Sequence, residues 1–72
     1  MDLFVLKINN QKYKQFKTIE EAFVKVDKIK KDSPNSIIEI IHEEYCEYGH
    51  MDTCCKLYLL YKYEYGIENK YI

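Results

Sequence analysis

Apolar residues recur along this chain with two different periods, and the changes of period mark its elements. Phe4, Leu6 and Ile8 fall at every second position, which is the period of a β-strand. Asn9-Asn10 follows, and asparagine tolerates the positive φ that a two-residue type I′ turn requires. The pattern therefore predicts a hairpin over residues 3–16, with Ile8 opposite Gln11, Leu6 opposite Tyr13 and Phe4 opposite Gln15. One face would carry Phe4, Leu6, Ile8 and Tyr13. The other would carry Lys7, Lys12 and Lys14, with Leu3, Val5 and Phe16 nearer its open end.

The period then changes. Ile19, Ala22, Phe23, Val26 and Ile29 lie at the spacing of one helix face. Thr18-Ile19-Glu20-Glu21 forms a capping box ahead of them, in which Thr18 receives the Glu21 amide and the Glu21 carboxylate reaches back. Acids open this segment and Lys28, Lys30 and Lys31 close it, in accord with a helix dipole. Asp32-Ser33-Pro34 ends it, because a residue before proline avoids helical geometry. A helix is predicted over 18–32.

Beyond Pro34, residues 37–48 fit two readings. Ile37, Ile38, Ile41, Tyr45 and Tyr48 share a helical face, but the density of β-branched residues favours a strand. A strand also gives a consistent partner. With a tight turn at Gly49-His50, His42 faces Leu57, Ile40 faces Leu59 and Ile38 faces Tyr61, while Glu43 meets Lys56 and Ile41 meets Tyr58 on the other side. This sets a second hairpin over 37–65, with Cys55, Leu57, Leu59, Tyr61 and Tyr63 on its inner face and residues 66–72 as a short tail. The predicted fold is a single α+β domain of order ββαββ, a four-stranded antiparallel sheet with one helix packed on one face.

Composition narrows the function classes. The chain has 72 residues, and a domain of that size buries only about 60% of the surface its unfolded chain exposes. No apolar run is long enough to span a membrane. The opening Met1-Asp2-Leu3-Phe4-Val5-Leu6-Lys7 does not read as a secretory leader, so a reducing cytoplasm is expected, with Cys46, Cys54 and Cys55 as thiols. All 11 basic residues are lysine, and lysine, isoleucine, asparagine and tyrosine are used heavily, as in AT-rich genomes. Residues 1–31 hold eight lysines against four acids, and residues 32–72 hold three against eight, so the halves carry opposite charge.

Candidate chemistry is sparse. His42, Cys46, His50, Cys54 and Cys55 are ligand types that zinc accepts, but there is no CxxC pair. In a strand, residues four apart lie about 13 Å from each other, too far to share one ion. A zinc-stabilised module is thus a third alternative, and neither metal nor cofactor is assigned. The acids Glu43, Glu44, Glu47 and Asp52 would disfavour a thiolate nucleophile, and neighbouring Glu43 and Glu44 point to opposite faces of a strand. With only two glycines there is no phosphate loop, so no enzymatic activity is expected.

Two binding surfaces can be drawn. Lys7, Lys12, Lys14 and Lys17, with Tyr13 and Phe16 among them, could follow a nucleic-acid backbone, although arginine is absent and net charge is near zero. Seven of the eight tyrosines lie after residue 44, more than a small core can hide. The favoured partner surface consists of Tyr45, Tyr48 and Tyr58 on the face opposite the helix, near Ile41 and Leu60. Glu39, Glu43, Glu47 and Glu64 form its acidic rim. Such a face would also suit homodimerisation.

The junction Phe16-Lys17-Thr18-Ile19-Glu20-Glu21-Ala22 resembles the hairpin-to-helix step of small phage proteins and of arm-binding domains in phage-type integrases. In format, the whole chain resembles small phage or mobile-element anti-defence proteins of the anti-CRISPR type. That resemblance implies a non-enzymatic inhibitor acting in the host cytoplasm on a host protein such as a nucleic-acid-binding defence nuclease. It assigns no residue.

Overall fold

A computed structural model describes the backbone of residues 2–45 and 54–71. It contains one helix and five strands: β1 (Asp2–Ile8), β2 (Gln11–Phe16), α1 (Ile19–Asp32), β3 (Ile37–Tyr45), β4 (Cys54–Glu64) and β5 (Ile67–Lys70). The α+β class and the one-sided helix agree with the sequence reading. The strand count does not, because the expected tail is a fifth strand. All neighbouring strands are antiparallel, in the order β2-β1-β3-β4-β5.

Local chemistry explains each turn. Asn9 and Asn10 take φ of 52° and 68°, as a type I′ turn demands. The Asn9 side chain also accepts the Ile37 amide at 3.0 Å, and the Asn9 amide donates to the Ile37 carbonyl at 2.8 Å, so the first turn fixes the start of β3. Tyr65 and Gly66, at φ of 49° and 89°, make a second turn of this kind, and it folds Ile67–Lys70 back onto β4. The readable signal was Gly66 followed by Ile67, Asn69 and Tyr71 in alternation.

Helix α1 begins as its capping box predicts. Thr18 is extended, its hydroxyl oxygen accepts the Glu21 amide at 3.3 Å, and the same hydroxyl donates to the Glu21 carboxylate at 3.1 Å. At the other end the Ser33 amide donates to the Ile29 carbonyl at 2.7 Å. The helix buries Ala22 and Val26 against Leu6, Ile38, Ile40, Tyr61 and Tyr63, with Phe4, Phe16, Phe23 and Ile29 around them. Phe23 meets the Tyr61 ring edge to face at 5.2 Å.

Two buried tyrosine hydroxyls need partners, and both find one. Tyr63 donates to the Pro34 carbonyl at 2.8 Å, pinning the helix-to-strand connection to β4. Tyr61 donates to the Glu68 carboxylate at 2.6 Å, and Lys30 of the helix donates to the same oxygen at 2.7 Å. Strand β5 is thereby tied to both the sheet and the helix. Burial, and next the bond to Glu68, push the Tyr61 phenol well above its ordinary pKa. The Lys30 and Tyr61 hydrogen bonds hold the Glu68 carboxyl below its own.

Candidate functional site

Which residues face outward depends on three places where a strand carries one more residue than its neighbour. The β1–β3 pairing is regular throughout, from Asp2 opposite Glu44 to Ile8 opposite Ile38. In β2, Lys7 pairs with Lys12 but Leu6 pairs with Lys14, leaving Tyr13 as the extra residue. In β4, Ile40 pairs with Tyr61 but Ile41 with Leu59, leaving Leu60 extra. Further on, Glu44 pairs with Lys56 but Tyr45 with Cys54, leaving Cys55 extra. Since side chains alternate between faces, each bulge reverses the facing of every residue beyond it.

The Cys55 and Leu60 bulges, each by one residue, overturn the second-hairpin register expected from sequence. Ile40 faces Tyr61, not Leu59, and Ile38 faces Tyr63, not Tyr61. His42 faces Tyr58, not Leu57, while Glu43 faces Leu57 and Glu44 faces Lys56. Tyr61 and Tyr63 keep their expected inward facing. Tyr58 does not stand opposite the helix beside Ile41; it shares the helix side with His42. Leu57 and Leu59, expected on the inner face, stand on the helix-free side.

The Tyr13 bulge similarly moves Lys14 and Phe16 to the helix side. Lys14 there lies over the Phe16 ring at 5.6 Å, and Lys25 of the helix lies over Tyr13 at 5.7 Å. The four-lysine hairpin surface is thus divided. Lys7 and Lys12 pair on the helix-free side, and Lys14 borders a cleft of about 330 Å³ with Phe16, Glu21, Val24, Lys25 and Lys28. Lys17 is exposed between β2 and α1.

On the helix side, the pairing aligns Phe16, Phe4, His42 and Tyr58 in one row across β2, β1, β3 and β4. Phe4 stacks on His42 at 5.0 Å, and His42 meets Tyr58 at 5.6 Å. Among the described residues the buried His42 Nε2 has no hydrogen-bond partner, although Asp2 Oδ1 lies 3.3 Å away, within ion-pair reach of a protonated ring. This aromatic row was missed because two bulges create it.

The helix-free side has two kinds of row. One is charged: Lys12, Lys7, Glu39, Lys62 and Asn69 run across all five strands. Beside it runs an apolar row of Val5, Ile41 and Leu59. Tyr71 extends this row past the end of β5, where its amide donates to the Leu60 carbonyl at 2.8 Å. Leu3, Glu43 and Leu57 form the next row. Val5 is buried, while Leu57 is 64% and Tyr71 57% exposed. Near β5, Lys62, Glu64, Tyr65, Ile67, Asn69 and Tyr71 line a shallow groove of about 400 Å³.

Of the expected partner surface, Glu39 and Glu43 lie on the helix-free side. Glu64 does too, in an ion pair with Lys62 at 3.4 Å. For Tyr45 the structure describes backbone only, paired with Cys54; Glu47, Tyr48 and the Gly49-His50 turn lie outside the described residues. So do Cys46 and His50 of the zinc alternative. Among the described residues, no group of three or more His, Cys, Asp or Glu side chains could hold a metal ion. Among them also, no helix is long and apolar enough to cross a membrane. Comparison with family models, curated proteins and solved structures gives no match.

Proposed function

We propose that this chain is a non-enzymatic protein-binding module that docks a partner protein on the helix-free face of its sheet. The observation that carries the proposal is the exposed apolar ground formed there by Leu57, Leu59 and Tyr71 around half-buried Ile41. A lone sheet with one helix ordinarily leaves its second face polar, alternating with the core face. Here that face exposes large apolar residues, bordered by Glu39, Glu43, Lys7 and Lys62, the composition of an interface with an apolar centre and a charged rim. Lys7, Lys12 and Lys62 alternate with the acids, so the rim is mixed in sign. Steric and apolar complementarity therefore carry the affinity in this proposal, more than charge matching to a basic groove. The resemblance in format to phage anti-defence proteins makes a host protein the proposed partner and inhibition the proposed outcome.

The test is affinity capture from a bacterial lysate with the wild-type chain, beside Leu59→Glu and a Lys31→Glu control on the helix. The proposal expects a specific protein that Leu59→Glu loses and the control keeps. Equal capture by both variants would reject the face as the contact surface.

A second reading is favoured by one observation, the gathering of Lys14, Lys25 and Lys28 around Phe16. In that reading the chain binds nucleic acid through this cleft. It predicts binding to a labelled oligonucleotide that weakens steeply with salt and is lost in Lys14→Glu/Lys25→Glu.

A further inference from the structure

Strand β5 is the outermost strand on its side of the sheet, and among the described residues no strand pairs with its outer edge. Its four residues, Ile67–Lys70, are all exposed. One bond fixes the direction of its backbone groups. The Tyr71 amide donates to the Leu60 carbonyl, so the backbone of Tyr71 points toward β4. In an antiparallel pair this direction alternates from residue to residue, so Ile67 and Asn69 also point toward β4, while Glu68 and Lys70 point outward. Such an edge offers its outward donors and acceptors to another extended segment.

The two outer edges of the sheet carry different charge patterns. Edge strand β2 holds Lys12 and Lys14 without an acid and is bent by the Tyr13 bulge, both devices that discourage pairing. Strand β5 is regular against β4 from Ile67 to Lys70. It sets Glu68 and Lys70, opposite in sign, on the helix side, and Ile67, Asn69 and then Tyr71 on the helix-free side. Ile67 is 66% and Tyr71 57% exposed. Tyr61 and Lys30 share one Glu68 carboxylate oxygen, so the second oxygen has no hydrogen bond among the described residues. Lys70 Nζ lies 5.5 Å over the Phe23 ring.

We infer that this edge pairs with its own copy: two chains join antiparallel along β5 about a two-fold axis at Asn69. The inference goes beyond the docking proposal, which concerns the helix-free face and not an edge. A two-fold axis must relate like to like, and outward residues must meet outward residues, so the axis passes through a residue of the strand. At Glu68 or Lys70 it would set two like charges against each other. At Ile67 it would place Glu68 against Gly66 of the turn. At Asn69, Glu68 meets Lys70 of the second chain and Lys70 meets its Glu68, two opposite-charge pairs whose outward backbone groups face each other. On the helix-free side each Ile67 meets the other chain's Tyr71, and Asn69 meets Asn69, whose amide both donates and accepts. The strand is thus complementary to itself in charge and in apolar contact, which selects a second copy as its partner. The helices do not collide, because α1 lies closest to β1 and β2, toward the far edge of each sheet. The resulting ten-stranded sheet keeps both helices on one side and joins the two helix-free faces on the other.

The test uses the full chain under reducing conditions, with mass measured by sedimentation equilibrium, folding by circular dichroism and amide exchange by NMR. One short strand per chain makes a small interface, so wild type is expected to pass from monomer to dimer between about 10 μM and about 1 mM. The outward Lys70 amide is expected to exchange more slowly as the dimer forms. Asn69→Asp and Asn69→Lys, each placing like charges across the axis, are expected as folded monomers over that range, and an equimolar mixture of the two is expected to restore the dimer mass. Leu59→Glu is expected to associate as wild type does, which separates edge pairing from stacking of the helix-free faces. The inference is overturned by a wild type that stays monomeric, by Lys70 exchange that ignores concentration, or by a dimer that survives both Asn69 substitutions. Loss of the dimer in Leu59→Glu overturns it too, and failure of the mixture to reassociate overturns the axis at Asn69. Partner capture with Leu59→Glu is scored separately, so either proposal can fail while the other stands.

Discussion

Glu68 is the most informative single residue to remove, because one carboxylate oxygen ties three elements together. It accepts from Tyr61 at 2.6 Å and from Lys30 at 2.7 Å, while the Tyr61 ring is only 1% exposed. In Glu68→Ala the phenol loses its acceptor, and an unpaired buried donor costs about 1–3 kcal/mol. The Lys30–Glu68 pair adds little, since the two side chains are 24% and 43% exposed and exposed ion pairs contribute about 0–1 kcal/mol. Water can reach the vacated position from the open side of β5, which favours the lower part of that range. The expected loss is about 1.5 kcal/mol, or roughly 6–12 °C in Tm for a domain of this size. Urea unfolding followed by circular dichroism measures it, with Asn69→Ala as the control on the same strand. A double-mutant cycle with Tyr61→Phe should show coupling of about 1 kcal/mol, above the ~0.5 kcal/mol scatter of independent sites. Additive effects, or equal destabilisation by Asn69→Ala, would refute the idea that this bond holds β5 to the core.

The remaining predictions test the same physical account. The folded Glu68 carboxyl is held below its ordinary range by the hydrogen bonds from Lys30 and then Tyr61, so its stabilisation is complete above the ordinary carboxylate range and is lost as pH falls through the lower folded value. Unfolding midpoints measured from neutral pH downward should therefore drop more for wild type than for Glu68→Gln. Thr18→Ala removes the acceptor of the Glu21 amide and should cost about 1 kcal/mol in chemical denaturation, with Thr18→Ser close to wild type. Gly66→Ala meets no atom within 4 Å, yet at φ of +89° it should cost about 1–2 kcal/mol through backbone strain alone, and Gly66→Asn less. Equal stability of Gly66→Ala and wild type in thermal melts would exclude a strained turn.

Much of the fold was legible because it rests on short-range rules. Asn9-Asn10 announces a turn, Thr18 to Glu21 announces a helix start, and the spacing of Ala22, Val26 and Ile29 announces the buried stripe. Leu6, Ile38, Ile40, Tyr61 and Tyr63 could be assigned inward from alternation alone, and the structure buries all five. The candidate site was much less legible. Glu39 and Glu43 lie on the expected side, but Tyr58 moved to the helix side while Leu57 and Leu59 took the face it was expected to hold.

The sequence by itself determined where the first hairpin, the helix and the inward stripe of α1 lie, and it favoured extended chain after Pro34, because a period of two or of 3.6 is a property of neighbours along the chain. Only the tertiary structure decided the strand order, the fifth strand and the outward face of β4. A single extra residue at Tyr13, Leu60 or Cys55 reverses facing without altering the alternation before or after it. Where that residue is inserted depends on how a strand must bend to keep its pairing with one neighbour while its rings reach the helix core. That balance involves partners far apart in the chain, and no local pattern records it.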